Sequence, residues 1–209
     1  LPRFSGGFVG YIGYDAVCCM EPKLRGLSKP DILGCPDIFL LLADELVILD
    51  NLRGTLQLVV HADADAPGAW TSAQRRLEDL AARLRAPLRY PSPRGFAGSV
   101  AGRFQSGFAE TAFCAAVARA REYIRAGDIM QVVLSQRLSA PFAGSALDVY
   151  RALRVLNPSP YMYHLELGDF QVVGSSPEVL VRVEEGVVTL RSEERRVWKE
   201  CRTRWSAYD

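Results

Sequence analysis

The sequence lacks the features of a nucleic-acid-binding, membrane-spanning or secreted protein. It contains no run of five or more like charges, and its formal net charge is +1, so electrostatics favour neither nucleic acid nor a membrane surface as a partner. No apolar run reaches the roughly 18 residues that a membrane span needs, and no signal-peptide pattern opens the chain. We expect a cytoplasmic globular protein, because 49% of its 209 residues are hydrophobic and available for a core.

Metal-binding motifs of cysteine and histidine and nucleotide-binding motifs are also absent from the sequence. There is no C-x-x-C pair, and the only histidines are His61 and His164, so no zinc site is expected. The G-x-x-x-x-G-K-[ST] loop that cradles phosphate is absent as well. The five cysteines are predicted to be buried, free thiols in a reducing cytosol: Cys18, Cys19, Cys35, Cys114 and Cys201.

Strand patterns dominate the first part of the chain. Residues 6–14 are apolar and strand-like, residues 36–51 read as two strands joined near Asp44, and residues 54–63 read as a third. We expect an antiparallel meander in which the strand at 39–42 is buried on both faces. The glycines of the first strand are interpreted as relief of crowding in a packed strand: Gly7, Gly10 and Gly13.

Helical periodicity appears three times further along. Apolar residues recur at helical spacing over 69–85, about 109–126 and about 145–156. Gly127 is well placed to end the second helix, and a strand is predicted to follow at 129–138. Helices that alternate with strands after an all-strand beginning favour an α+β fold.

A proline- and glycine-rich stretch, residues 86–105, is the best candidate for a boundary. Residues 161–190 read as three further strands. The last 19 residues are rich in Lys, Arg and Trp and fit neither a helical nor a strand period. They resemble the translation of a sequencing-library adapter, and we interpret them as non-native rather than as a solvated basic tail. The predicted organisation is 1–105, 106–190 and a tail at 191–209.

The strand at 129–138 contains a misfit, because Gln131 lies inside an apolar run where an unpartnered amide is costly. In a strand, Gln131, Ser135 and Arg137 share one face. From the pattern alone, these side chains line a polar cavity or form a half-exposed sheet face, and neither is favoured.

The segment NPSP at 157–160 predicts a stiff corner before a strand. Pro158 and Pro160 fix two φ angles and supply no N–H groups. Carbonyl groups at such a corner lack ladder partners and can receive a ligand ammonium, although an ordinary rigid turn fits better. The polar residues at 175–178 line a cleft or face water, and we expect solvent.

Five segments together resemble the chorismate-utilising enzymes, and within them the anthranilate synthase component I family most closely. They follow the family's order and spacing and cover nearly all of residues 1–190. They are GGFVGYIGYD at 6–15, CPDIF at 35–39, AREYIRAGDIMQVVLSQR at 120–137, NPSPYMYHL at 157–165 and VVGSSPEVLVRVEEGVVTLR at 172–191.

The resemblance implies two facing β-sheets flanked by helices. It also implies a reaction in which chorismate, Mg²⁺ and ammonia from a glutaminase partner give anthranilate and pyruvate. Gln131 takes the catalytic position at which water-adding relatives carry a lysine base, and a neutral side chain there suits ammonia as nucleophile. Pro160, Tyr161 and Met162 correspond to contacts of the feedback inhibitor L-tryptophan.

Several family elements are missing from the chain. They are the segment that completes the tryptophan pocket, the chorismate-binding loop, and the magnesium carboxylates, so no metal ligand is named and we expect an inactive internal fragment. Leu1, in place of Met, also indicates a start inside a longer protein. Aminodeoxychorismate synthase component I, which also carries glutamine at this position, is the nearest alternative. A non-catalytic tryptophan-binding or assembly module is the alternative of another class.

Overall fold

The computed structural model describes residues 2–27, 31–88, 104–177, 179–190 and 201–204. The chain divides into two compact units, Leu1–Tyr90 and Pro91–Asp209. The division falls inside the predicted linker at 86–105, most of which lies outside the described residues. The domain ranges 1–105 and 106–190 stay predictions.

The first unit is built from two antiparallel strand pairs and one long helix. Two 3₁₀ turns, Tyr14–Ala16 and Pro22–Leu24, flank the one-turn helix α1 between the first two strands. Strand β1 pairs with β2, and β3 pairs with β4. The bounds are β1 Gly7–Ile12, α1 Val17–Met20, β2 Ile38–Ala43, β3 Glu45–Asp50, β4 Thr55–Val60 and α2 Ala69–Arg85.

The expected meander is wrong, because β2 and β3 are not paired with each other in the described sheets. Only Asp44 separates these strands, and the shortest common hairpin loop has two residues. The chain therefore continues from one strand pair into another. The predicted burial of 39–42 is wrong as well, since Leu42 is 64% exposed and Leu40 is 48% exposed.

The crowding interpretation is confirmed for Gly10. A Cβ atom on Gly10 would lie 1.9 Å from the carbonyl oxygen of Phe39 on β2. A Cβ on Gly13 would lie 3.0 Å from the carbonyl oxygen of Asp37. Glycine lets the two backbones approach at these positions.

The described residues of the second unit form two helices and seven short strands. Strands β5 and β6 pair, β7 and β8 form an antiparallel hairpin, and β9, β10 and β11 form a three-stranded sheet. The bounds are β5 Gln105–Ser106, α3 Glu110–Ala126, β6 Leu138–Ser139, α4 Ala146–Leu156, β7 Tyr161–Glu166, β8 Gln171–Ser176, β9 Val181–Glu184, β10 Val187–Leu190 and β11 Cys201–Arg204.

All three predicted helices are confirmed, α2 with the predicted bounds. Gly127 ends α3 with a left-handed φ of +81°, which glycine adopts without a Cβ penalty. Ser145 caps α4, and its hydroxyl accepts a hydrogen bond from the Leu147 N–H at 3.1 Å.

The strand predictions for 161–190 need one correction. The region holds four strands, because the turn at Glu185 and Gly186 separates β9 from β10. Within the tail, residues 201–204 form a strand against β10 although their pattern predicted none. Ladder pairing uses backbone groups that every non-proline residue carries. The non-native origin of 191–209 stays a prediction.

The apolar core is small in the described part of the chain. Three apolar residues are buried there: Ala16, Leu80 and Leu167. The predicted burial of the cysteines is wrong where exposure is described, since Cys18 and Cys35 are half-buried and Cys19 and Cys114 are exposed, although all four thiols are free. None of the described helices is long and apolar enough to cross a bilayer.

Candidate functional site

The corner at 157–160, which we call the NPSP corner, is tied to β8 by two serine hydroxyls. Ser175 on β8 donates to the Asn157 carbonyl oxygen at 2.8 Å. Ser159 donates to the Ser176 carbonyl oxygen, and its hydroxyl accepts from the Tyr161 N–H at 3.3 Å. The solvent-facing interpretation is therefore wrong for the Ser175 hydroxyl, which has a protein partner, and it stays a prediction for the Ser176 side chain. One carbonyl expected to await a ligand, that of Asn157, already has a partner.

The three predicted tryptophan contacts lie where α4 and this corner lead into β7. Pro160 is exposed, Tyr161 is 45% exposed and Met162 is half-buried. Because side chains alternate along a strand, Tyr161 and Met162 project to opposite faces of the β7–β8 hairpin. A ligand that contacts both has to sit at the end of the strand, beside the NPSP corner. Their role as tryptophan contacts stays a prediction.

Aromatic rings flank this end of the hairpin. Tyr163 lies against Gly174 on β8, where a Cβ atom would fall 2.2 Å from the ring.

Arg182 pairs with Glu184. The hydrogen bond to the Glu184 carboxylate is the main cause of the raised pKa of the Arg182 guanidinium, and the Tyr161 hydroxyl raises this pKa by less. Arg182 therefore keeps its positive charge beside a predicted ligand contact.

A second group of side chains holds α4 on the hairpin. His164 Nε2 and Gln171 Oε1, on opposite strands, lie 2.7 Å apart. The Tyr150 ring on α4 stacks on His164 with centroids 6.2 Å apart, and the Arg154 guanidinium lies 5.9 Å from the Tyr150 ring centre. This stack was not predicted from the sequence, although the four-residue spacing of Tyr150 and Arg154 was a signal for their contact on one helix face.

The predicted strand around Gln131 is not formed. Residues 129–137 have no regular secondary structure, and strand pairing begins only at Leu138. A strand needs neighbours for its backbone groups, and the neighbouring strand β5 pairs only with residues 138–139. Gln131 is exposed in this stretch, as are Ser135 and Arg137. The polar-cavity and sheet-face interpretations both assumed a strand, which is not formed here. The catalytic role of Gln131 stays a prediction.

An arginine on α2 forms the densest polar cluster of the first unit. Arg76 donates to Asp44 Oδ2 at 2.7 Å, Glu45 Oε1 at 2.5 Å and the His61 carbonyl oxygen at 2.9 Å. The carboxylates raise the pKa of the Arg76 guanidinium, chiefly through the hydrogen bond to Glu45. No local signal in the sequence pointed to this contact, because the three acceptors lie 15 or more residues away from Arg76.

No metal centre is found among the residues that the structure describes. No three His, Cys, Asp or Glu side chains group closely enough there to hold an ion, and Glu178 lies outside that part of the chain. The described residues thus do not fit the magnesium ion that the family resemblance implies.

The comparison with protein families decides the relationship. The family model described as chorismate binding enzyme matches residues 2–192. The chain belongs to this family. The predicted resemblance to anthranilate synthase component I is confirmed by the relatives, and the α+β fold class is confirmed by a solved structure.

Three similar proteins are each much longer than this chain. Anthranilate synthase component 1 of Pseudomonas aeruginosa is 50% identical over 195 residues, which are 91% of this chain and 39% of that protein. The protein of the same name in Neisseria meningitidis serogroup B is 47% identical over 194 residues, with the same two shares. The crystal structure of anthranilate synthase component I from Streptococcus pneumoniae matches with a TM-score of 0.74 and 33% identity, over 90% of this chain and 42% of that one.

Proposed function

We propose that this chain is part of an anthranilate synthase component I, which converts chorismate and ammonia to anthranilate and pyruvate. The observation that supports it best is the 50% identity to the Pseudomonas aeruginosa component 1. The chain spans about 39% of that relative's length, so we propose that it does not turn over chorismate alone. Ammonia would come from glutamine through a glutaminase subunit.

Gln131 is proposed to sit beside the attacking ammonia. An ammonia molecule is itself a nucleophile and needs no strong base, whereas water needs a general base such as a desolvated lysine amine. A neutral amide can orient the ammonia by hydrogen bonding without taking its proton. For this role Gln131 must become covered by other residues, because it is exposed in the described conformation.

The NPSP corner is proposed to receive L-tryptophan as a feedback inhibitor, with contacts from Pro160, Tyr161 and Met162. The features that support this are the exposed aromatic ring of Tyr161, the adjacent Met162 and the cationic Arg182. A thioether suits an indole edge, and a guanidinium suits a carboxylate. The magnesium ion proposed for the reaction would be held by residues other than those the structure describes.

A graft tests the proposal. Residues 2–190 replace the aligned segment of the Pseudomonas aeruginosa relative, and anthranilate fluorescence is followed with chorismate, Mg²⁺ and an ammonium salt. We expect anthranilate from the graft and none from the 209-residue chain alone. A folded graft that consumes no chorismate, while the parent enzyme does, would contradict the proposal.

The same graft tests Gln131. The Gln131→Lys graft is expected to form a product of water addition to chorismate, because the lysine amine supplies the base that water lacks. Gln131→Ala is the matched control, since it removes the amide without adding a base. If both variants only lose activity, Gln131 has a scaffold role and the proposal for it is wrong.

A further inference from the structure

The NPSP corner has few backbone donors of its own. Pro158 and Pro160 carry no N–H, so Ser159 is the only one of these three residues that can donate from its backbone. A strand that starts after such a segment cannot extend its ladder backwards in the ordinary way. Side-chain hydroxyls have to make the polar links between the corner and β8.

Two serines supply those links from opposite sides. The Ser159 hydroxyl accepts from the Tyr161 N–H and donates to the Ser176 carbonyl oxygen, so it bridges the two strands at the terminal Tyr161–Ser176 pair. Ser175 lies opposite Met162 in the register and reaches back to the last residue before the prolines, Asn157.

The two hydrogen bonds fix different parts of the corner. Asn157 follows the last turn of α4 and has φ −143° and ψ 66°, which lies outside the helical region. The Ser175 bond therefore holds the point where the chain leaves the helix, and the Ser159 bond holds the point where it enters β7. Between these points the two prolines restrict the backbone.

We propose that Ser159 and Ser175 are positioning residues that hold the NPSP corner in the shape that receives an amino-acid ligand. This inference rests on the proposed tryptophan site. The serines do not contact the ligand in this scheme. They fix Pro160, Tyr161 and Met162 relative to β8, so that the ligand does not have to order the corner when it binds.

The test uses the graft of residues 2–190 into the Pseudomonas aeruginosa relative, which keeps the segments of the tryptophan pocket that this chain lacks, and two NMR measurements. The first is hydrogen exchange of the Tyr161 amide without ligand, and the second is the Kd for L-tryptophan from chemical-shift titration. Ser159→Ala removes one hydroxyl and is expected to speed hydrogen exchange of the Tyr161 amide. It is also expected to raise the Kd for tryptophan about 5-fold, which corresponds to the loss of one ordinary hydrogen bond. Ser175→Ala is expected to weaken binding similarly and to shift the Asn157 carbonyl resonance.

Ser145→Ala is the matched control, because it removes a hydroxyl bonded to the same helix at its other end. It is expected to lower stability without changing Tyr161 exchange or the tryptophan Kd. Ser175→Thr keeps a hydroxyl and is expected to restore the Asn157 resonance and binding. Together these results separate positioning from general stability.

The outcomes separate the two proposals. If the unsubstituted graft does not bind tryptophan while the alanine variants still alter Tyr161 exchange and the Asn157 resonance, the tryptophan site is wrong and the positioning role of the serines stands. If both serine variants leave both NMR measurements at wild-type values, or change them only as much as Ser145→Ala does, the positioning role is contradicted.

Discussion

Ser175 and Asn157, 18 positions apart, are joined by a 2.8 Å hydrogen bond from the serine hydroxyl to the asparagine carbonyl oxygen. This bond connects the end of α4 to the open end of the β7–β8 hairpin, next to the terminal Tyr161–Ser176 pair. It makes the NPSP corner part of a braced unit, since α4 also rests on the hairpin through Tyr150 and His164. The predicted ligand contacts therefore lie on a supported element of the second unit.

Gly10→Ala is expected to destabilise the first unit by about 1–3 kcal/mol, the usual cost of forcing extra atoms into a packed site. The added methyl would lie 1.9 Å from the Phe39 carbonyl oxygen, so β1 and β2 would have to separate. Urea unfolding followed by circular dichroism measures the change. Gly107→Ala is the control, because its Cβ would meet nothing closer than 3.7 Å. Equal effects of the two substitutions would contradict the crowding explanation.

Arg76→Ala is expected to lower the melting temperature of the first unit, because three acceptors on Asp44, Glu45 and His61 lose their donor. The decrease in melting temperature should be smaller in high salt, because salt screens the contacts with the carboxylates. Arg76→Lys is expected to recover only part of it, since an ammonium lacks the planar fork of a guanidinium. The exposed neighbour Arg75 supplies the control substitution, Arg75→Ala; an equal loss there would show that the cluster adds nothing.

Tyr11 gives a prediction at alkaline pH. Burial raises the pKa of its phenol above the ordinary value, and negative charge at Cys35 and Asp37 adds to the shift. A raised pKa means that the fold favours the neutral phenol, so its contribution is complete below about pH 10 and is lost as the pH rises through the higher folded value.

The Tyr11→Phe variant isolates this titration. Wild type should lose more stability than Tyr11→Phe between pH 9 and 11 or so, as measured by urea midpoints. The phenylalanine variant should be less stable at neutral pH, because it lacks the 2.8 Å hydrogen bond from the Tyr11 hydroxyl to the Pro36 carbonyl oxygen. Parallel pH profiles for the two proteins would rule out this assignment.

The chain alone is expected to bind the dye ANS and to self-associate at micromolar concentration. Large apolar side chains are exposed on several elements, with Phe8 at 71%, Val133 at 75% and Leu180 at 80%. Exposed apolar surface and unpaired strand edges both favour association. Sedimentation velocity over a concentration series measures the self-association. A monodisperse monomer without ANS fluorescence would contradict the small described core.

Local features of the fold were predictable from the sequence. Helix α2 was predicted with its bounds because Trp70, Leu77, Leu80 and Leu84 recur at helical spacing. The end of α3 followed from Gly127, whose left-handed φ is a local property. The family could also be recognised, because five segments keep its order and spacing.

Features that depend on distant partners were not predictable in the same way. The pairing of β1 with β2, separated by more than 20 residues, gave no local signal. The residues at 129–137 carry a strand pattern, yet a pattern cannot supply the neighbouring strand that it needs. The serines of the NPSP corner were visible as polar residues, but their partners 17 and 18 positions away were not.

The most direct test of the central claim is an isotope measurement on the grafted enzyme. The graft is incubated with chorismate, Mg²⁺ and ¹⁵N-ammonium chloride. The products are then separated, and their molecular masses are measured by mass spectrometry. The account predicts anthranilate carrying one ¹⁵N atom, with an equal amount of pyruvate. Labelled aminodeoxychorismate in its place, or an unlabelled product of water addition, would contradict it.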